Sequence, residues 1–249
     1  MKSAQDFMLE IPVLKNNEGL TKARQILRDD RFREVYVIDG KNGILGYIDL
    51  TDALRVTATK SNVTVEGFVK EAATVAPADP IEHAVKAMRK YRTDSAAVVR
   101  PDRTILGGVL LSDLFPVIIS KNELPGHVDG CMSGSVVTAS PTDSIQKIYT
   151  MIIESGFSAF PVMKKKRLVG IISRRDLISS RAVRSTLNGH SQKTVDEVMK
   201  KEVITISPHE PVSVAAQLLV RHDVSRLPVV DGNTLVGIID RHDVLAGLA

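Results

Sequence analysis

Tryptophan is absent from the 249-residue chain, and aromatic residues make up only 4% of it. That scarcity argues against a sugar-stacking face or a platform for single-stranded nucleic acid, since both need rows of exposed rings. Cysteine occurs once, at Cys131, so no disulfide can form within the chain, which suits a reducing compartment. No apolar run approaches the roughly 18 residues that span a bilayer. The start, MKSAQDFMLEIP, lacks the apolar core of a secretory signal. A cytoplasmic location without membrane contact is expected. Neither charge dominates: 33 Lys and Arg stand against 29 Asp and Glu, for a net charge of +4. That balance permits an anionic partner without demanding one. The basic residues form no long stripe, so nucleic-acid binding is possible but not favoured.

What is present is an ordinary globular composition, 43% hydrophobic and 25% charged, and a repeat. The stretches ILGYIDLTDAL from Ile44, ILGGVLLSDLF from Ile105, LVGIISRRDLI from Leu168 and LVGIIDRHDVL from Leu235 share one frame. In each, a glycine that reads as a turn precedes an aspartate by six residues: Gly46 and Asp52, Gly107 and Asp113, Gly170 and Asp176, Gly237 and Asp243. The glycines recur at intervals of 61, 63 and 67 residues, too long for common solenoid units and right for a small supersecondary unit.

The third copy spells the unit out. SVVTASP predicts a short strand, and SPTDSIQKIYTMIIESG then predicts a helix with Ser140 as N-cap, Pro141 at its first position and Gly156 as its stop. Ile145, Ile148 and Ile152 fall on one helical face. SAFPVM and RLVGII read as two strands joined by a turn at Lys164 to Lys166, and the frame aspartate opens a last helix. Copies two and four follow the same plan. The first lacks the Thr-x-x-Pro entrance found at Thr74, Thr138 and Thr205. Each copy is therefore expected to be a β-α-β-β-α unit of α/β class. A unit of about 55 residues buries too little apolar surface to be comfortable alone, so the copies are expected to pair. The polar connection SKNELPGHVDG separates two modules, at residues 1–122 and 123–249.

This pattern resembles the cystathionine-β-synthase (CBS) domain, as four tandem repeats forming two Bateman modules in a disc-like arrangement. Its architecture is similar to that of the regulatory γ subunit of AMP-activated protein kinase. The resemblance implies that adenosine compounds bind in the clefts between paired repeats: AMP, ADP or ATP, with S-adenosylmethionine less favoured. It also implies a homodimer and a regulated protein partner. The Ser-x-x-Asp of the family corresponds to Ser173 and Asp176, with Arg174 and Arg175 between them. A carboxylate at a strand-to-helix junction can accept hydrogen bonds from both ribose hydroxyls, and the helix N-terminus suits a phosphate. The alternative is that the aspartates are only helix caps, worth about 1 kcal/mol each.

The copies differ where it matters. Leu110 occupies the hydroxyl position before Asp113, while Asp49 and Asp240 place a second carboxylate before Asp52 and Asp243, where it would repel a phosphate. The resemblance further implies ligand contacts at Thr138 and Thr205 of the first strands, at Ser158 and at a phosphate-binding Arg226. Glu34 stands at the Arg226 position in copy one, and copy two has no basic residue there. Copies three and four are thus expected to form the working nucleotide module. Of the six histidines only His242 lies in the frame, and none has zinc spacing. No nucleophile–base pair, phosphate-cradling Walker loop or metal triad appears, so the expectation is a regulatory nucleotide-binding protein rather than an enzyme, with no metal and no required cofactor. The alternative reading is a scaffold or a nucleic-acid-interacting protein that senses no nucleotide.

Overall fold

The computed structural model describes residues 2–56, 62–179 and 192–248. The chain divides into two compact units, Met1–Ile118 and Ile119–Ala249. In the first unit the order is β1 (Val13–Lys15), α1 (Leu20–Ile26), β2 (Glu34–Ile38), β3 (Ile44–Asp49) and α2 (Leu50–Leu54). There follow β4 (Thr74–Val75), α3 (Ile81–Tyr91), β5 (Ser95–Val99), β6 (Ile105–Leu110) and α4 (Leu111–Lys121). The second unit holds α5 (Ile145–Ser155), β7 (Ala159–Lys164), β8 (Arg167–Ser173), α6 (Arg174–Ser179), α7 (Val212–Arg221), β9 (Arg226–Asp231), β10 (Thr234–Asp240) and α8 (Arg241–Ala246). The expected α/β repeat is present four times.

Helix faces follow the apolar spacing. Ile145, Ile148 and Ile152 of α5 are fully buried, as are Ile81, Ala84 and Met88 of α3. Gly156 ends α5 in the left-handed region at φ 71°, where glycine bears no Cβ penalty. The N-cap, however, is Ser144, whose side chain accepts from the Lys147 N–H, and not Ser140. Ser140 instead begins a turn closed by its N–H to Asp143 at 2.8 Å. Pro141 lies in that turn, so the helix starts four residues later than the Ser-Pro signal suggested.

The frame glycines also have a different role from the turn expected of them. Each lies inside the second strand of a hairpin, opposite Val37, Val98, Val162 or Val229. A segment leading into the partner repeat crosses directly above it. The residue after the glycine exchanges two backbone hydrogen bonds with that segment: Tyr47 with Lys70, Gly108 with Leu9, Ile171 with Lys200 and Ile238 with Ser133, all at 2.8–3.0 Å. A Cβ on Gly46 would lie 2.1 Å from the Lys70 carbonyl oxygen, and one on Gly107 would lie 2.6 Å from that of Leu9. Only a residue without a side chain admits the crossing. A short 3-10 helix precedes each crossing segment, with one fully buried apolar residue in it, Ala4, Val128 or Val195, or in the first repeat's case at its N-cap, Val65.

The predicted strand in SVVTASP is reduced to a single parallel bridge, Ala139 to Val162, and its counterpart in the fourth repeat to Ile206 with Val229. Proline explains the loss. In the first unit the N–H of Tyr36 donates to the Pro12 carbonyl at 3.1 Å and that of Ala97 to Ala73 at 2.8 Å. The same register position in β7 and β9 is Pro161 and Pro228, which have no N–H to give. Thr138 and Thr205 are exposed, as is Thr74 in the intact β4. The hairpin tips of the first unit are joined to each other: Ile44 N–H donates to the Arg103 carbonyl at 3.0 Å and Arg103 Nη2 to the Ile44 carbonyl at 3.1 Å.

Gly46→Ala is expected to destabilise the first unit by about 1–3 kcal/mol, because backbone must shift to admit the methyl group. Gly67→Ala, where a Cβ would meet nothing within 4 Å, should change stability by less than about 0.5 kcal/mol. Urea unfolding of the two variants compares them, and equal losses would contradict the crossing.

Candidate functional site

Each frame aspartate takes the third position of a helix, and in three of the four repeats the junction is ordered by reciprocal capping. In the third repeat the N–H and Oγ of Ser173 donate to Asp176 Oδ2 at 2.7 and 2.6 Å. The Asp176 N–H returns to Ser173 Oγ at 3.4 Å. In the fourth, the Asp240 N–H donates to Asp243 Oδ2 at 2.9 Å and the Asp243 N–H to Asp240 Oδ1 at 3.0 Å. Asp49 and Asp52 repeat the arrangement in the first. In the second repeat Leu110 has no side-chain acceptor for a cap, and the exposed Asp113 carboxylate accepts from Ser112 Oγ at 3.3 Å. Capping is therefore real at three of the four positions, and it fixes the carboxylates at the mouth of the hairpin.

What surrounds each carboxylate is set by the crossing segment and by the opposing strand. In the third repeat, Ala159 lies opposite Ser173. The neighbouring Ser158 carbonyl accepts the Arg174 N–H at 3.0 Å, so Ser158, Ser173, Arg175 and Asp176 are gathered at one junction. In the fourth repeat Arg226 lies opposite Asp240 in the β9–β10 register. An arginine thus stands across the hairpin from the strand end that carries the two carboxylates, Asp240 and Asp243. The crossing segment there brings Cys131 close, and burial, then the Asp243 and Asp129 carboxylates, push its thiol above the ordinary value. Such a thiol is a poor nucleophile near neutral pH.

The first repeat has the opposite arrangement. Glu34 lies opposite Asp49, but its carboxylate accepts from the Asp94 N–H and Ser95 Oγ of the second repeat, which leaves Asp49 and Asp52 as the pair at the junction. Lys70, on the crossing segment of the second repeat, answers them: its Nζ lies 2.6 Å from Asp52 Oδ2, 3.0 Å from Asp49 Oδ2 and 5.1 Å from the Tyr47 ring centroid. Arg55 stands 3.9 Å from Asp52 on the outer side. Burial, then Asp49, raises the Asp52 carboxyl above its ordinary value. Burial alone would lower the Lys70 ammonium, but the carboxylates outweigh it and its pKa is raised. Lys70 was not evident in the sequence. The signal was available in the parallel between TVEGFVK and TVDEVMK, which aligns it with Lys200.

One cavity in the second unit, of about 230 Å³, lies between repeats. Its walls are Arg167, Leu168 and Val169 of β8, Lys201, Val203 and Thr205 of the segment entering the fourth repeat, and Val230, Gly232 and Asn233 of the β9–β10 hairpin. Of the expected contact residues only Thr205 lines it. Ser173 and Asp176 stand farther along the same strand: four residues separate Val169 from Ser173, about 13 Å at strand rise. The apolar wall of Leu168, Val169, Val203 and Val230 was not anticipated, since nothing local distinguishes these from core residues. Among the described residues no group of three or more His, Cys, Asp or Glu is placed to hold a metal ion. No helix among them is long and apolar enough to cross a membrane.

The family model described as the CBS domain matches residues 4–58, 65–120, 126–182 and 195–249. Protein MJ1225 of Methanocaldococcus jannaschii is 24% identical over 273 residues, spanning 98% of this chain and 97% of that protein. Its crystal structure, that of a proposed archaeal homologue of γ-AMPK, superposes with a TM-score of 0.84 over 100% of both chains at 22% identity. An uncharacterised protein from Pyrococcus horikoshii superposes with a TM-score of 0.68 over 100% of both chains at 20% identity. The CBS domain-containing protein YhcV of Bacillus subtilis is 35% identical over 118 residues, 47% of this chain and 81% of that protein. At such identities the structural likenesses establish the fold alone.

The raised pKa of Lys70 fixes a sign. The stability it contributes is complete below the ordinary lysine value, about 10.4, and is lost as pH rises through the higher folded-state value. The difference in thermal midpoint between wild type and Lys70→Gln should be constant from about pH 7 to 10 and shrink above that. A difference that grew with alkalinity would contradict the ion pair.

Proposed function

The chain belongs to the CBS domain family, and from that membership we propose that it is a regulatory protein binding an adenine nucleotide, AMP, ADP or ATP, between its third and fourth repeats. The observation that carries this reading is the inter-repeat cavity along β8, whose lining is mixed: Leu168, Val169, Val203 and Val230 offer apolar contact to a flat base, and Thr205, Asn233, Arg167 and Lys201 offer polar and cationic groups. The distance of about 13 Å from Val169 to Ser173 matches the reach of a nucleoside monophosphate. Ser173 holds Asp176 Oδ2, which orients the carboxylate so that it can accept ribose hydroxyls. Arg175, on the first turn of α6, and Ser158 beside it complete this cleft.

A second cleft is proposed on the fourth repeat, where Asp240, Asp243 and Arg226 share one junction and the exposed Thr138 leads the opposing repeat. Arg226 supplies the phosphate-binding cation there. Asp52, in contact with Lys70, and the exposed Asp113 are less suited to a nucleotide. Modules at residues 1–122 and 123–249 remain the proposed division of labour, with the second module as sensor.

No reaction is required of such a protein. Binding shifts the packing of the two repeats only by the difference in affinity between packings, commonly about 1–3 kcal/mol, and a protein partner or a second copy of the chain in the cytoplasm reads the shift. S-adenosylmethionine is less favoured because it carries no phosphate for Arg226.

Calorimetric titration of AMP, ADP, ATP and S-adenosylmethionine into wild type and Asp176→Asn tests the reading. Wild type is expected to bind at least one adenine nucleotide, and the variant to bind it tenfold or more weakly, since hydrogen bonds to a charged group contribute roughly 1.5–3 kcal/mol. No binding by wild type, or equal binding by a folded variant, would overturn it.

A further inference from the structure

We propose that Lys70 is a built-in ligand of the first unit: it occupies the frame carboxylates of the first repeat from within the chain, excludes nucleotide there and locks the two repeats in one packing. The inference rests on the nucleotide reading only for what it says is excluded; the lock stands on geometry.

Three observations converge on it. The ammonium of Lys70 sits on both carboxylates that a ribose would need, at 2.6 and 3.0 Å, and covers the Tyr47 ring. It does so from the segment of the second repeat, so the contact ties one repeat to the other. The pull comes from charge. Repeat one presents Glu34, Asp49 and Asp52 where repeat three presents Ala159, Ser173 and Asp176. Lys200 holds the same pairing position against Ile171, where the frame carries Ser173 in place of Asp49, and it is exposed.

Second, the volume that remains open beside β8 is filled in the first unit. Ile11, Tyr36, Ile44, Tyr47 and Ala97 form one buried cluster, packed by Leu9, Phe32, Ala72, Val99 and Ile105. Pro161 and Ile171 take the positions of Tyr36 and Tyr47 in the third repeat, and neither can reach as far. The hairpin tips are joined where the second unit has its cavity wall: Ile44 and Arg103, bonded to each other, correspond to Leu168 and Asn233 by their distance from the frame glycine.

Third, a buried polar chain crosses between the first two repeats at the strand start. Ser95 Oγ donates to Glu34 Oε2 at 2.8 Å, the Asp94 N–H donates to Glu34 Oε1 at 3.0 Å, and the Tyr36 hydroxyl lies 2.8 Å from Ser95 Oγ. Such a network specifies one arrangement and makes departures from it costly. Lysine on carboxylates, tyrosines in the cleft and a buried network across it perform for the first unit what a bound nucleotide would perform for the second. The first unit is then a fixed reference, and ligand changes only the other.

Hydrogen exchange on the full chain, with thermal midpoints, tests this in two arms. Without nucleotide, Lys70→Gln is expected to speed exchange of residues 45–52 and 69–75 about tenfold over wild type, with Lys70→Arg in between and with residues 167–176 and 200–206 unchanged. Equal exchange in Lys70→Gln and wild type would overturn the lock. If Lys70→Gln does not fold, Lys70→Arg against wild type gives the same comparison. In the second arm, AMP or ATP added to wild type should protect 167–176 and 200–206 and leave 45–52 and 69–75 unaltered. Protection of 45–52 would overturn the exclusion. Absence of protection anywhere, with the first arm positive, would overturn the nucleotide reading while supporting the lock.

Discussion

The rest of the molecule depends on one close approach: backbone laid on backbone above a glycine. At Gly46, Gly107, Gly170 and Gly237 the segment entering the partner repeat makes two hydrogen bonds to the next residue, and at the first three a Cβ would lie under 3.0 Å from its backbone, a separation that a methyl group would not permit. That crossing joins the repeats in pairs, since each repeat covers the hairpin of the other. It also decides what each frame aspartate meets. The aspartate belongs to one repeat and the segment passing it belongs to the second, so every site in the molecule is composite.

One frame therefore gives different outcomes according to its neighbours. With Ser173 before Asp176 the junction holds one carboxylate and stays open. With Asp240 before Asp243 it holds two, and Arg226 stands opposite on the neighbouring strand. With Asp49 before Asp52 and an acidic Glu34 opposite in place of arginine, it holds two and draws in a lysine. With Leu110 before Asp113 the reciprocal cap cannot form. Proline adds a second layer of difference. Pro161 and Pro228 withhold the ladder hydrogen bonds that Tyr36 and Ala97 make, so the first strands of the third and fourth repeats shrink to single bridges. An unzipped strand leaves a cleft that a zipped one would close.

Much of this was legible in the residues because it repeats. Four glycine–aspartate pairs at constant spacing gave the repeat, the helical faces and the family. The buried face of α5 and its stop at Gly156 followed from periodicity and from glycine's conformational freedom. The misreadings share one cause, which is that their partners are distant in sequence. A glycine near the end of an apolar run looks like a turn until Lys70 is seen to cross Gly46 from 24 residues away. SVVTASP has the composition of a strand, but its partner β7 carries a proline at the position that should donate. Ser140 before Pro141 is a sound local cap signal, overridden because Asp143 captures the Ser140 N–H in a turn and leaves Ser144 to cap the helix.

The interleaving of crossing segments has a consequence for synthesis. The hairpin of β2 and β3 leaves the ribosome before the segment around Lys70 exists to cover it, so the first repeat emerges with its frame uncapped and its carboxylates gathered without their cation. Completion waits for the second repeat, and the same delay recurs in the second half of the chain. Translation thus proceeds as two successive closures rather than four. Until each closure an exposed hairpin edge awaits its own next segment, an interval in which nascent chains are most open to mispairing with one another.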